Sequence, residues 1–221
     1  MERLVKLGVV IVHYRRPDLL IGAVNSLETV HRSRFFVVDN SKGSRSLAAC
    51  WNLGVGGALE WGAERVLVSN DDVVFHPCTV DHLVERSLER GYGFVSPADV
   101  RVESGLDLAG FLSLAEPADG LDRQAANFSC FLLSPDLFRE VGPFDENFYP
   151  AYYEDADYNL RLGLAGRHGM LTTYAPYFHY GGAGGGVDLV AAERNRAYLL
   201  AKWKDTVPWI ESFATTGGLL T

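Results

Sequence analysis

Apolar residues in the first third of the chain fall in short runs separated by longer stretches with helical spacing. Leu7–Val12, Phe35–Val38 and Val66–Ser69 are rich in β-branched and aromatic residues, the composition of buried strands. Pro17–Glu28, entered through a proline, predicts a helix, as do the stretches Ser44–Trp61 and Thr79–Arg90. Repeated strand–helix–strand units predict an open, mainly parallel sheet with helices on both faces.

The pattern changes near residue 93. From Gly93 to Leu133 short β-like pieces alternate with Gly, Pro and Asp. A short helix is expected at Pro135–Glu140, a loop to Tyr153, and a helix over Glu154–Ala165. Two short strands, Met170–Thr173 and Tyr177–His179, precede the glycine-rich Gly181–Gly186, and a last helix is expected over Leu189–Lys204. The organisation expected is one α/β domain over 1–221. It has a doubly flanked half (1–92), a mixed half (93–205) and a tail (206–221). Gly54, Gly56 and Gly57 lie within a helical stretch, so they are not a dinucleotide fingerprint.

Composition narrows the class. The 221 residues, 48% of them hydrophobic, suffice to bury a substantial core. No apolar run reaches the length of a membrane-spanning helix. Leu7–Val12 lacks a small-residue cleavage site and reads as a strand, not a signal peptide. A net charge of −8 argues against a broad nucleic-acid face but leaves room for a local basic pocket. Cys50, Cys78 and Cys130 form no ligand-spaced motif and are expected to be reduced and buried. A cytoplasmic location, with peripheral membrane contact as the variant, follows.

Polar residues mark the ends of the buried runs. His13-Tyr14, Asp39-Asn40 and Asn70-Asp71-Asp72 each follow a strand, and in an open parallel sheet ligands bind beyond the carboxyl strand ends. Asp and Asn also make ordinary turns after strands. The adjacent Asp71 and Asp72 repel each other, which a hard divalent cation relieves and a solvated turn tolerates.

A second constellation runs from Tyr149 to Asp157. Ala156, Leu160 and Gly163/Leu164 are expected to face the core, and Asp157 and Arg161, four apart, to pair on the surface. Glu154 and Asp155 then stand at a helix N-terminus, as caps or as a general base. Tyr152 and Tyr153 read as a sugar platform or as core packing. His179 precedes the glycine-rich loop, which has the composition of a closing lid; a structural histidine is the other reading.

Taken together these segments resemble the family 2 glycosyltransferases, particularly the bacterial rhamnosyl- and galactofuranosyltransferase-like members, over about the first 205 residues. Val10-Ile11-Val12-His13-Tyr14-Arg15-Arg16-Pro17-Asp18-Leu19-Leu20 looks like the family's first strand and the segment after it. Val37-Val38-Asp39-Asn40-Ser41 is similar to the block whose Asp contacts the nucleotide base, and Asn52-Leu53-Gly54 to an N-x-G on the next helix. Asn70-Asp71-Asp72-Val73 corresponds to the DxD-type motif, with Asn70 at its first acidic position. Val141-Gly142-Pro143-Phe144-Asp145-Glu146 and Glu154-Asp155-Ala156-Asp157-Tyr158-Asn159-Leu160-Arg161 resemble the "GxFDE…EDxD" block, the most specific match. His179-Tyr180-Gly181-Gly182, Asn195 and Lys202-Trp203 look like the family's closing motifs.

The resemblance implies a GT-A-type fold and an inverting transfer of a sugar from a nucleoside diphosphate donor, a UDP- or dTDP-sugar, to a glycan, lipid-linked or other hydroxyl acceptor. It implies Mn²⁺ or Mg²⁺ on Asp72 and His179, and Asp155 as base with Glu154 beside it. Donor contacts would come from His13, Tyr14, Arg16, Asp39, Asn52, Asn70 and Asp71, and acceptor contacts from Tyr152 and Tyr153. Arg15 is the alternative to Arg16 at the phosphates; either also reads as surface charge. Residues 1–92 then form the nucleotide-binding half and 93–205 the acceptor half. A sugar nucleotidyltransferase would need a glycine-rich loop after the first strand, where this chain has His13-Tyr14-Arg15-Arg16-Pro17. A catalytically silent glycan- or nucleotide-binding protein is the rival from another class. Trp203, Val207, Trp209, Ile210 and Phe213 read as a patch for a membrane-bound acceptor, a homodimer contact or core.

Overall fold

Strand β1 (Lys6–His13) is buried from Leu7 to Val12 without alternation, because both of its faces are covered. It pairs in parallel with β2 (Arg32–Asp39) on one side and β3 (Arg65–Asn70) on the other. The register sets His13 opposite Asp39 and Val12 opposite Asn70, so the three strands end together. The computed structural model describes residues 3–182 and 188–212.

The connecting helices follow their local signals. Pro17 opens α1 (Pro17–Ser26). Helix α2 (Leu47–Glu60) starts after Ser46, whose hydroxyl accepts from Ala49 N, so Ser44 and Arg45 stay outside it. Helix α2 lies close on the sheet because Gly54 carries no side chain; a Cβ there would strike Val10. Helix α3 (Thr79–Arg90) ends at Gly91 in the left-handed conformation, φ 71°.

Beyond residue 70 the structure adds elements that periodicity does not show. Strand β4 (Val73–Phe75) follows the Asp71-Asp72 pair directly. After α3 come β5 (Phe94–Asp99) and two short helices, α4 (Val100–Ser104) and α5 (Leu108–Leu112), where only β-like pieces were expected. Asp99 and Asp107 cap these helices. Then follow β6 (Asp122–Gln124), β7 (Cys130–Leu133), α6 (Pro135–Val141), α7 (Glu154–Leu164), β8 (Met170–His179) and α8 (Leu189–Trp203). The two strands expected over 170–179 are one, with a register shift where the partner of β5 jumps from Thr172 to Pro176. Pro176 and the irregularity before it break the alternation that would have shown a single strand.

The sheet runs β2-β1-β3-β7-β5-β8-β4, with β6 also on β8. Parallel pairing holds across β2-β1-β3 and between β5 and β8, whereas β7, β4 and β6 enter antiparallel. The architecture is an open α/β sheet flanked by helices, with a mixed second half.

One core lies under α2, α6 and α7, where Trp51, Phe94, Phe131, Phe144 and Tyr158 meet; Phe144 and Tyr158 stack with centroids 4.0 Å apart. The other holds Leu7, Val9, Leu67, Leu83 and Tyr177 on the opposite face. A third cluster joins α7 to α8 through Phe148, Tyr153, Ala156, Leu160 and Leu199, and takes in Val207 and Ile210. Those two therefore belong to the core and not to a surface patch; Phe213 lies outside the described residues. On α7 the buried stripe runs through Ala156, Leu160 and Leu162, while Gly163 and Leu164 face out.

Asp157 is fully buried, contrary to its expected place on the surface. It does pair with Arg161, at 3.0 Å, and also receives Lys202 Nζ at 2.7 Å and Trp203 Nε1 at 2.8 Å. Lys202 reaches Asp145 as well, at 2.6 Å. A buried carboxylate needs such partners, and here they tie α7 to α8 and to the loop before α7.

Candidate active site

The common end of β1, β2 and β3 carries the first part of the site. Asp71 Oδ2 accepts the Tyr14 backbone N–H at 2.9 Å and lies 2.7 Å from His13 Nδ1. Burial pushes the Asp71 carboxyl pKa up, while the Tyr14 N–H and His13 pull it back. One oxygen of Asp71 is thus committed to holding the end of β1 against the turn after β3.

Asp72 meets His179. Strand β4 pairs antiparallel with β8 so that Val73 faces His179, which places His179 Nε2 3.2 Å from Asp72 Oδ1. The Tyr180 N–H also donates to Asp72 O, at 2.9 Å. Behind the imidazole, Asp99 Oδ2 lies 3.8 Å from Nδ1. At that distance the contact is a long ion pair and not a hydrogen bond, and it sets a negative charge behind the ring. Asp99 is itself buried, and its Oδ1 accepts from Arg101 N at the start of α4. Asp99 is a site residue that no sequence pattern singled out. The available signal was its position at the end of a buried strand, the criterion that picked out His13, Asp39 and Asp71. A carboxylate and an imidazole converging at this distance, the ring backed by a second carboxylate, fit a divalent cation.

Asp71 and Asp72 open onto a cavity of about 840 Å³. Tyr14 and Asn70 also line it, and Asn70 Oδ1 is buried there without a hydrogen-bond partner. Four cationic side chains, Arg15, Lys42, Arg45 and Arg194, border the same space in a chain of net charge −8. Of these, sequence offered Arg15 alone, as the alternative to Arg16; Lys42 and Arg45 sit in a loop and Arg194 on a distant helix, where no pattern marks them. Arg15, with φ 63°, stacks on the Tyr14 ring at 4.6 Å. Arg16, the residue assigned to the donor, instead pairs with Asp18 at 2.7 Å and does not line the cavity. The left-handed turn at Arg15 sends consecutive side chains to different sides.

Asp39 and Asn52 also fall outside this cavity. Asp39 is exposed, accepts Ser41 N at 2.8 Å, and borders a smaller cavity of about 270 Å³ that shares Arg45 with the large one. Asn40 beside it is buried and clamps Arg45 through both ends of its amide. Asn52 spends its amide on structure: Oδ1 accepts from Phe144 N, and Nδ2 donates to Phe144 O and Glu146, each at 2.9 Å.

The opposite wall is the segment ahead of α7, of which Tyr149, Pro150, Ala151 and Tyr152 line the cavity. Its Tyr149–Pro150 bond is cis. Asn195, buried on α8, donates to the carbonyls of Tyr149, Ala151 and Tyr152. Leu47 N donates to Pro150 O at 2.8 Å, and Tyr149 Oη to Gly43 O at 2.7 Å. These ties hold Tyr152 and Tyr153 at φ 80° and 73°, a left-handed conformation that costs a non-glycine residue about 1–3 kcal/mol. Tyr152 faces the cavity and accepts the Asp188 N–H at 3.1 Å. Tyr153 does not face it; its ring packs in the α7–α8 core.

Tyr153 is the N-cap of α7 and supplies no side-chain cap, so Glu154 and Asp155 open the helix proper. Asp155 is half-buried, its Oδ1 2.7 Å from Ala156 N. Burial raises its pKa, against the pull of the backbone N–H groups. Glu154 is buried with Oε2 unpartnered, and burial, then the neighbouring Asp155, drives its pKa well above the ordinary value. Neither carboxyl lines the large cavity, although Tyr152, just ahead of them, does. Gly181 and Gly182 are described, and Gly182 lines the cavity; residues 183–187 of the expected lid lie outside the described residues.

No family profile and no curated protein matches this sequence. Solved structures do match. The crystal structure of GalNAc-T7 with UDP, GalNAc and Mn²⁺ superposes with a TM-score of 0.68 at 14% identity, over 93% of this chain and 49% of that one. The chain therefore spans about half the length of the structure it matches. The likeness is one of fold, and it identifies the sheet described above as a GT-A-type glycosyltransferase fold.

Proposed function

We propose that this chain is a metal-dependent glycosyltransferase that moves a sugar from a nucleoside diphosphate donor to an acceptor hydroxyl with inversion. One observation carries the reading: Asp71 and Asp72, the latter against the Asp99-backed His179, share a cavity with Arg15, Lys42, Arg45 and Arg194. Carboxylates beside clustered cations suit a diphosphate with a divalent ion, and the fold neighbour was crystallised with UDP and Mn²⁺.

In this scheme the nucleoside lies toward Tyr14, Asn40 and Asp39, and the diphosphate against the four cations. Asp72 and His179 would hold Mn²⁺ or Mg²⁺, which when bound neutralises charge developing on the departing diphosphate. Tyr152 offers its ring to the acceptor. Asp155 takes the hydroxyl proton as the acceptor oxygen bonds to the anomeric carbon and the bond to the diphosphate oxygen breaks. Attack opposite the leaving group inverts that carbon. A glycan or lipid-linked hydroxyl is the acceptor class, and among the described residues no helix is long and apolar enough to cross a membrane.

Calorimetric titration with UDP and dTDP, with and without Mn²⁺, tests the binding half of the proposal. The expected result is metal-dependent affinity that Asp72→Ala abolishes; metal-independent or unchanged affinity refutes the assignment. Incubation with a panel of UDP- and dTDP-sugars then tests the chemistry. Tight binding with no donor turnover on any acceptor would favour the silent binding protein instead.

A further inference from the structure

A second group of ligand-type side chains converges at the opposite end of β4 from Asp72. Cys78 stands at the N-terminal boundary of α3, His82 one turn further along that helix, and Glu116 in the segment after α5. One ligand atom from each lies within 4.8 Å of the others. His76 is adjacent, with Nδ1 3.0 Å from Cys78 Sγ and Nε2 3.1 Å from the Leu114 carbonyl.

The carbonyl contacts assign the tautomers. His82 Nδ1–H donates to Tyr174 O at 2.5 Å, which leaves Nε2 facing Glu116 Oε1 at 3.1 Å. In neutral His82 that contact sets a lone pair against a carboxylate, so either a proton or a cation belongs between them. An imidazole anchored to a carbonyl through one nitrogen, with the other aimed at an acidic oxygen, is the usual posture of a metal-binding histidine. A proton would satisfy His82 and Glu116 and leave the Cys78 S–H on His76 Nδ1, whereas a cation would draw the sulfur, the imidazole and the carboxylate onto one centre. His76 donates Nε2–H to Leu114 O, so its Nδ1 lone pair is turned toward Sγ.

We propose that Cys78, His82 and Glu116 form a binding site for a zinc-type divalent cation, separate from the Asp72–His179 site. On ligation the Cys78 S–H proton passes to His76 Nδ1 and then to solvent, and the thiolate sulfur bonds to the metal. One sulfur, one nitrogen and one carboxylate oxygen leave a fourth position for water, a set that zinc accepts and that Mg²⁺ or Mn²⁺ disfavours. Burial raises the Cys78 thiol to about 11, so without metal it stays protonated and inert. The bound ion would clip the segment around Glu116 to the start of α3 and, through Tyr174, to the irregular part of β8.

Cobalt(II) titration of the full chain tests this, because a thiolate-to-cobalt charge-transfer band arises only if sulfur ligates. One equivalent of cobalt should produce the band in the wild type and in Asp72→Ala, and Zn²⁺ should bleach it. Cys78→Ser should abolish the band. Glu116→Gln, at an exposed position, should keep the fold and weaken cobalt affinity by about tenfold or more. Absence of the band in the wild type, its persistence in Cys78→Ser, or unchanged affinity in Glu116→Gln would overturn the site. The last holds even if Cys78→Ser does not fold.

Discussion

Replacing Asp155 by asparagine separates what this residue does for α7 from what it would do for transfer. The structural share is small. Asp155 Oδ1 accepts from Ala156 N at 2.7 Å, and an asparagine oxygen can occupy the same place. Loss of the charge forfeits an interaction with the helix dipole of about 0.3–1 kcal/mol. It also removes a charge that disfavours ionisation of Glu154, which offsets part of that loss. The net change in stability should stay within about 1 kcal/mol. A general base, by contrast, supplies about two to four orders of magnitude, or roughly 3–5 kcal/mol of barrier. Burial raises the folded pKa of Asp155 above its ordinary value, so wild-type transfer should grow as pH rises through that raised pKa and then level off. The assay is sugar transfer at saturating donor, with donor affinity and Tm measured on the same preparations. An Asp155→Asn protein that transfers within a few-fold of wild type, with the same pH profile, would refute the role and turn attention to Glu154.

Three further outcomes are expected. Glu154→Gln should raise Tm at neutral and alkaline pH. The wild-type carboxyl favours folding fully only below its unfolded pKa near 4.5, and loses that contribution as pH rises through the elevated folded value. Parallel Tm–pH curves for the two proteins would refute this. Lys202→Met leaves buried Asp157 with Arg161 and Trp203 alone, and strips Asp145 of the cation that, with Asn147, holds its pKa at about 2 against burial. Denaturant unfolding should show a loss of about 2–3 kcal/mol, and a change below about 0.5 kcal/mol would mean the network contributes little. His179→Ala should weaken Mn²⁺-dependent UDP binding by about tenfold or more without abolishing the melting transition, and equal affinity would make His179 structural.

Much of the first half was legible because its signals are local. Burial on both faces made β1 and β3 continuous apolar runs, Pro17 opened α1, and α3 spans the residues its pattern marked, Thr79 to Arg90. The polar residues after those runs could be placed at one sheet edge, since parallel strands joined by helices must end on the same side. Strand β4 gave no such signal. It has three residues, and three residues carry no period, yet its antiparallel pairing with β8 is what carries His179 to Asp72. Asp99 was hidden in a stretch broken by turns, and its partner lies far along the chain.

Sequence alone determined the order of the early strands and helices, the edge at which the first polar residues gather, and the acidic start of α7. Only the tertiary structure decided which of two adjacent arginines faces the cavity, because a left-handed turn at Arg15 separates their directions. It likewise decided that Tyr152 lines the cavity while Tyr153 packs inside, that Asp157 is buried, and that Asn52 is a staple. The physical reason is common to all of these. Hydrophobic period reports how buried a residue is relative to its own helix or strand, whereas the partner of a charge or an amide is chosen by which distant segment folds against it.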